Sequence, residues 1–381
     1  MNVINGTYGN ATIFTTNNPN NAIDQYAIAQ LQMLCDHPAS EGSKICVMPD
    51  VHPGKICTIG LTMTVGDIIL PNILGINIGC GMTLAKIKEK QYEFQKLDTV
   101  IRENIPSGFQ IQKKAHRYVE EFDITRLYCA HAIRTSKAML SLGTLGGGNH
   151  FIEVDKDENS NLYIVIHSGS RHLGKEVTDY YLAKGQEVLK TEGKNVPYEL
   201  TYLTGSLREE YLHDLQIVQD YATLNRNAML QELTKRLKWK ITASYSCIHN
   251  YVEPASTSYC KLPILRKGAI SAKAGESVII PINMRDGIIL ATGLGNENWN
   301  VSAPHGAGRT GKCEDVKNSY TVSAFKKEMK GVYSSCIGKD TLDEAPFAYR
   351  SLEDIKEVIS DTVTINQILS PIYNFKAGGK I

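Results

Sequence analysis

Five short segments of this chain set a cysteine or a histidine among small or polar residues, four of them with glycines. They are GINIGCGM (75–82), LGTLGGGNHFIE (142–153), HSGSRHLG (167–174), HNYVE (249–253) and NVSAPHGAGR (300–309). Glycine lets a backbone turn sharply or come close to a ligand, so such loops constrain the fold more than any helical or strand run does. One of them alone means little, because a lone histidine or cysteine is usually a satisfied core residue. Five in one chain, carrying Cys80, His150, His167, His249 and His305, form a stronger signal. Thiolate with imidazoles suits Zn(II), Mn(II) or Co(II), and oxygen donors would tilt the choice toward Mn(II). No HExxH, no PCxxC and no zinc-finger spacing is present, so spacing alone leaves convergence of these residues open. GAGRTGKC (306–313) nearly matches a phosphate-binding P-loop. It ends in Cys313 where that loop needs a hydroxyl, and it follows Pro304-His305 rather than a clear buried strand. Gly378-Gly379-Lys380 lies too near the end of the sequence to open a helix.

Of 381 residues, 42% are hydrophobic, which is enough for a large core. Forty-one Lys+Arg against 40 Asp+Glu exclude a diffusely basic coat, so any polyanion must meet a local patch. Lys113, Lys114, Arg117, Arg226, Arg236 and Lys238 are the candidates. Nine scattered cysteines without CxxC argue against a disulfide framework and for a reducing, cytoplasmic setting. No apolar run reaches membrane-spanning length and no secretory signal is visible, so no membrane partner is expected.

The patterning predicts helices over 22–35, 95–104 and 130–141, the last closed by Gly143. A longer helix starts near Ser206, with Ser206 and Glu209 as a capping box, and another starts at Ser351 with Asp354. Buried strands are expected at 45–48 and 58–65 around a loop from Pro49 to Gly54. Others are expected at 162–166, running into a turn from His167 to Ser170, and at 278–282 and 288–292. Strands and helices mix without βαβ alternation, and no linker divides the chain. The expectation is an α+β fold in one domain, 1–381.

These residues resemble the RtcB family, the tRNA-splicing ligases that use GTP and manganese. The resemblance runs from about Val47 to Lys376. Besides four of the segments above, it rests on VMPDVHPGK (47–55), RKGAISA (266–272), GLGNE (293–297), SAPHGAGR (302–309) and DEAPFAYR (343–350). It implies a β-sandwich core flanked by helices. It implies joining of an RNA 3′-phosphate or 2′,3′-cyclic phosphate end to a 5′-hydroxyl end through a covalent His305–GMP. It further implies one or two Mn(II) ions on Asn77, Cys80, His150, His167 and His249. GTP would contact Asn149, His150, Phe151, Ile152, Glu153, Asn250, Pro281, Ile282, Asn283, Met284, His305, Gly306, Ala307, Gly308, Tyr349 and Lys376. Arg171 and Arg309 would hold phosphates, and an archease-type activator is a further expected partner.

The departures suggest a divergent paralogue. Asn77 stands where the family has a metal-binding aspartate, which should weaken metal affinity. Pro281-Ile282-Asn283-Met284 and Ile288 replace a turn that supplies nucleotide hydroxyl contacts, with Asn283 able to replace one of them. His172 is added after HSGSR. Two other readings therefore stand beside the ligase: a metal-dependent cyclic phosphodiesterase, and an RNA-binding protein that no longer catalyses.

Overall fold

The computed structural model describes residues 2–15, 23–256, 259–310 and 313–376. Gly311, Lys312 and Gly378 to Lys380 lie outside the described residues, as does the side chain of Cys313.

Two sheets carry the fold. The first has six strands in the order β1 (Asn2–Asn5), β2 (Asn10–Ile13), β3 (Ile45–His52), β4 (Ile59–Thr64), β10 (Ile264–Lys267) and β9 (Asn250–Glu253). Only β2 and β3 run parallel in it. The second has seven antiparallel strands in the order β12 (Ser277–Asn283), β13 (Gly287–Gly293), β15 (Val363–Lys376), β6 (Phe151–Lys156), β7 (Leu162–Ser168), β5 (Gly81–Ile87) and β8 (Ile241–Ile248). This sheet curls until its outer strands, β8 and β12, approach each other. Met82 and Leu84 thereby share one apolar cluster with Ile279 and Ile288 from its other side. A ribbon of β11 (Ala269–Ser271) and β14 (Ser302–Pro304) contacts β3, β4 and β8.

The described helices are α1 (Gln25–Cys35), α2 (Pro71–Leu74), α3 (Phe94–Asn104), α4 (Thr135–Ser141), α5 (Arg171–Thr191), α6 (Gly205–Leu237), α7 (Cys313–Ser319), α8 (Val322–Glu328) and α9 (Leu352–Ile359). The mixture is α+β, as the patterning predicts. Helix α6 joins the sheets. Leu215, Val218 and Tyr221 pack with the six-stranded sheet, and Met229 and Leu233 pack behind the seven-stranded one.

Between these two halves of α6 lies Arg226, which is fully buried. Its guanidinium donates to the Gly79 carbonyl (2.9 Å), the Ser168 carbonyl (2.9 Å), Thr83 Oγ1 (3.2 Å) and Thr223 Oγ1 (3.0 Å). Burial lowers its pKa to about 10, so the group stays charged at neutral pH. Arg226 is therefore no surface contact for a polyanion, contrary to its place among the patch candidates. The helix period aims it at the sheet and not at solvent.

Alternation along β6 decides what reaches the concave side. Ile152 and Val154 face the helix-side core, and Phe151 faces the interior of the curl. Glu153 shares the face of Phe151 because strand side chains repeat every two residues.

Several local expectations need correction. Helix α6 begins at Gly205 after Thr204, so Ser206 lies inside the helix and makes no cap. The stretch 130–141 divides into a 3-10 turn (Tyr128–Ala132) and α4, with Gly143 (φ +77°) just past its end. β3 runs through Pro49 to His52, so the loop starts later than Pro49. β7 continues through His167 and Ser168. The box at Ser351 and Asp354 is present.

Removing the buried guanidinium strands two backbone carbonyls, at a cost of about 1–3 kcal/mol each. Arg226→Met should lower unfolding stability by about 3 kcal/mol, seen as a fall in the denaturant midpoint. An unchanged midpoint would contradict the role given to Arg226.

Candidate active site

The glycine-flanked loops converge. Cys80 Sγ lies 3.5 Å from His150 Nε2 and 3.3 Å from His167 Nε2, and His167 Nε2 lies 3.3 Å from His249 Nε2. Cys80, His167 and His249 offer donor atoms within 4.8 Å of one another. Each residue arrives from the end of an element: Cys80 just before β5, His167 near the end of β7, and His249 between β8 and β9. His150 Nδ1 meets the Leu145 carbonyl at 2.8 Å, and His167 Nδ1 meets that of Asn149 at 3.2 Å. A carbonyl can only accept, so Nδ1 carries the hydrogen and both Nε2 lone pairs face the cluster. The Asn77 amide reaches the Cys80 thiol and lies against Gly169.

Burial sets the charge of this group. It pushes the Cys80 thiol up to about 12 and His150 down to about 3, and holds His167 and His249 well below the usual imidazole range. The metal-free cluster is thus neutral at pH 7. These four residues could hold a soft-to-borderline divalent ion, with the Asn77 oxygen as an uncharged fifth donor.

His305 stands beside the cluster, its ring centroid 4.9 Å from that of His249. Its Nδ1 donates to Asp50 Oδ2 at 2.8 Å. Asp50 is wholly buried, and its other oxygen has no hydrogen-bond partner among the described residues. Gly60 (φ +93°) and Gly308 (φ +71°) let the chain close around Asp50, since a Cβ on Gly308 would meet its backbone at 2.7 Å. The acid keeps the hydrogen of His305 on Nδ1, which leaves Nε2 as a nucleophile or base.

A cleft opens at His305. Asn149, Phe151, Glu153, Pro281, Ile282, Asn283, Met284, Gly306, Ala307, Gly308, Arg309, Tyr349 and Lys376 line it, so most of the expected nucleotide contacts share one space. Three expected residues stand elsewhere. The Ile152 side chain faces the opposite core, because Phe151 and Glu153 take the cleft face. His150 sits behind, in the cysteine–histidine cluster. Asn250 donates to the Leu74 and Asn77 carbonyls and borders a second cleft. Asn283 lines the first cleft, but its side chain is committed to its own turn: it donates to Asp286 and accepts from the Arg285 and Asp286 amides. It does not stand in for a free hydroxyl. His172 pairs with Glu176 outside both clefts. Arg171 is pinned by Thr144 and the Gly108 carbonyl, and Arg309 by the Asp343 carbonyl and Glu344. The second cleft meets the first at Asn149, His249 and His305, and Asn77, Cys80, Lys55, Lys175 and Lys267 line it.

Asp50, Glu344 and Asn374 carry much of the cleft and were not singled out as site residues in the sequence. Asp50 and Glu344 do lie within the VMPDVHPGK and DEAPFAYR blocks, which was the available signal. Glu344 is the hub. It accepts from Lys376 (2.5 Å), from Tyr349 (2.6 Å) and from Arg309. Burial pushes its carboxyl up, yet the Lys376 and Arg309 charges outweigh that and hold it at about 2. Asn374 Nδ2 donates to Glu153, whose carboxyl burial raises to about 7.

A histidine oriented by a buried acid, next to a thiol–imidazole cluster and at the mouth of an aromatic-walled cleft, is an arrangement suited to metal-assisted phosphoryl transfer. Residues 30–377 match the family described as tRNA-splicing ligase RtcB, and the chain belongs to that family. It is 30% identical to the RNA-splicing ligase RtcB of Escherichia coli K12, over 84% of this chain and 87% of the relative. It is 26% identical to an RNA-splicing ligase RtcB2 of another Escherichia coli strain, over 97% of each. It is also 26% identical to the tRNA-splicing ligase RtcB of Aeropyrum pernix, over 82% and 83%. Among the described residues no helix is long and apolar enough to cross a membrane.

The carboxyl of Glu344 falls from 4.5 to about 2 on folding, so it contributes stability above its ordinary value and loses it as pH drops toward 2. The magnitude is on the order of 3 kcal/mol. Glu344→Gln should remove that contribution at pH 7 and flatten the loss of thermal stability between about pH 5 and 2. A variant with the full acid transition would contradict it.

Proposed function

We propose that this chain is an RNA ligase, acting as one ligase domain, that joins an RNA 3′-phosphate or 2′,3′-cyclic phosphate end to a 5′-hydroxyl end with GTP as co-substrate. The observation that carries this reading is the Asp50–His305 pair, set where two clefts meet and beside the cysteine–histidine cluster. The names of the relatives support ligation over a phosphodiesterase or a non-catalytic RNA binder.

The proposed chemistry gives each of these residues a role. His305 Nε2 attacks the α-phosphorus of GTP: a P–N bond forms and the P–O bond to pyrophosphate breaks. Asp50 balances the positive charge that develops on the ring. Glu153 accepts from guanine N–H groups, Tyr349 and Phe151 offer aromatic faces to the base, and Lys376 and Arg309 add positive charge. Where the end is a 2′,3′-cyclic phosphate, water first adds to its phosphorus and the P–O2′ bond breaks to give the 3′-phosphate; an oxygen of that phosphate, arriving through the second cleft, then takes the guanylyl group and returns His305 to its neutral form. The 5′-hydroxyl loses its proton, bonds to the RNA phosphorus and expels GMP. A divalent ion, Mn(II) if the family resemblance holds for this site, would be held by Cys80, His150, His167, His249 and Asn77, and would supply neutralisation of phosphate charge. With Asn77 in place of a carboxylate that ion is held with one charge less.

The deciding experiment incubates the protein with Mn(II) and GTP labelled on the α-phosphate. An acid-labile label should appear on the wild type and be absent from His305→Ala, while Asp50→Asn should label at least tenfold more slowly. A label retained by His305→Ala would sink the assignment. No label on a manganese-loaded wild type, with or without an archease-type activator, would favour the phosphodiesterase.

Because the thiol is protonated and the imidazoles are neutral without metal, binding of Mn(II) at pH 7 should release about one proton per ion. Calorimetry in buffers of different ionisation enthalpy reads that number, and Cys80→Ala should bring it close to zero. Release unchanged in the variant would remove Cys80 from the ligand set.

A further inference from the structure

Phe109 is 81% exposed, far more than any other large apolar side chain of the described residues. It stands at the tip of a tight turn in which the Gln110 amide donates to the Ser107 carbonyl and Gly108 takes φ +61°. Turn tips normally carry polar residues, and a bare aromatic there is unfavourable in water. The turn is also rigidly held. Gly108 N donates to the Gly146 carbonyl (2.8 Å), Leu145 N to that of Pro106 (2.9 Å), and Gln112 N to that of Leu140 (2.8 Å). Arg171 Nη2 donates to the Gly108 carbonyl at 2.8 Å, and its guanidinium and the His150 ring both crowd the Cα of Gly146. The turn is thus bolted to the segment that delivers His150 to the cysteine–histidine cluster. Just beyond it, Lys113, Lys114 and Arg117 are exposed, with no carboxylate between Phe109 and Arg117.

We propose that the turn 107–110 is a stacking platform for single-stranded RNA: Phe109 takes the face of an unpaired base near the ends being joined, and Lys113 and Lys114 take the adjoining phosphates. An aromatic ring fixed beside a row of cations is the arrangement by which proteins hold single strands without reading sequence. Preorganisation by five backbone or side-chain hydrogen bonds means little ordering entropy is lost when a base stacks. The near-neutral chain makes a local patch of this kind necessary for RNA affinity. The proposal rests on the RNA ligase reading.

The test is binding of a short single-stranded RNA with a 3′-phosphate, followed by anisotropy across a salt series. Phe109→Ala should weaken binding about tenfold with an unchanged thermal midpoint, and Phe109→Trp should restore it with tryptophan emission quenched by the RNA. Lys113→Ala with Lys114→Ala should lower the slope of log affinity against log salt by roughly one to two. Fully paired RNA should lose nothing with Phe109→Ala. Unchanged single-strand affinity in Phe109→Ala, or equal losses for single-stranded and paired RNA, would overturn the platform. If Phe109→Ala instead loses only stimulation by an activator protein, the turn is a protein contact and the proposal is equally overturned. The label from GTP reads the ligase reading separately, since guanylylation needs no RNA.

Discussion

The guanidinium of Arg226 is the point at which the molecule is fastened. One charged group, deep in the interior, reaches the Gly79 carbonyl, the end of β7 at Ser168 and the hydroxyl of Thr83 on β5. Those are the flanks of Cys80 and His167. A buried charge is tolerable only where its donors are satisfied, and here the acceptors are the backbone groups that frame the cysteine–histidine cluster. Helix α6 can span both sheets because this contact anchors its middle. The same contact fixes how closely β5 and β7 deliver their ends to each other.

Charge elsewhere in the site follows one logic. The cluster of one thiol and three imidazoles is apolar in effect until an ion enters, so it can be buried without counter-ions. The cleft at His305 instead holds permanent charge, and there Glu344 gathers Lys376, Arg309 and Tyr349 around one carboxylate. Asp50 is a third case: an acid committed through one oxygen to His305, with the chain turned tightly about it at glycines.

Much of this was legible in the residues. The five cysteine- and histidine-bearing loops do converge, and the hairpin at 278–292 and the helix at Ser351 follow their patterns. The failures have physical causes. Ser206 carries a capping signature, but Thr204 and Gly205 let the helix begin earlier, which turns the serine into an interior residue. Arg226 reads as surface charge by residue type, although it falls between Ala222 and Met229 on the apolar stripe that the helical period turns toward the sheet. Asp50 stands next to Pro49 near the end of β3 and Glu344 next to Asp343 at the end of a 3-10 turn, and only the tertiary fold shows which basic group each of them meets. Ile152 was grouped with its neighbours in a binding motif, yet alternation along β6 sends it to the far side.

The position of His305 on the wall shared by the two clefts has a kinetic meaning. On the proposed mechanism a group carried on its Nε2 would be loaded from one opening and collected from the other, like a relay hand-off, without the chain parting between the two events. On the proposed mechanism the loaded state would be a natural resting form: the protein would wait charged for a broken strand, its readiness set by how long the P–N bond survives water in the junction and not by the encounter of three partners at once.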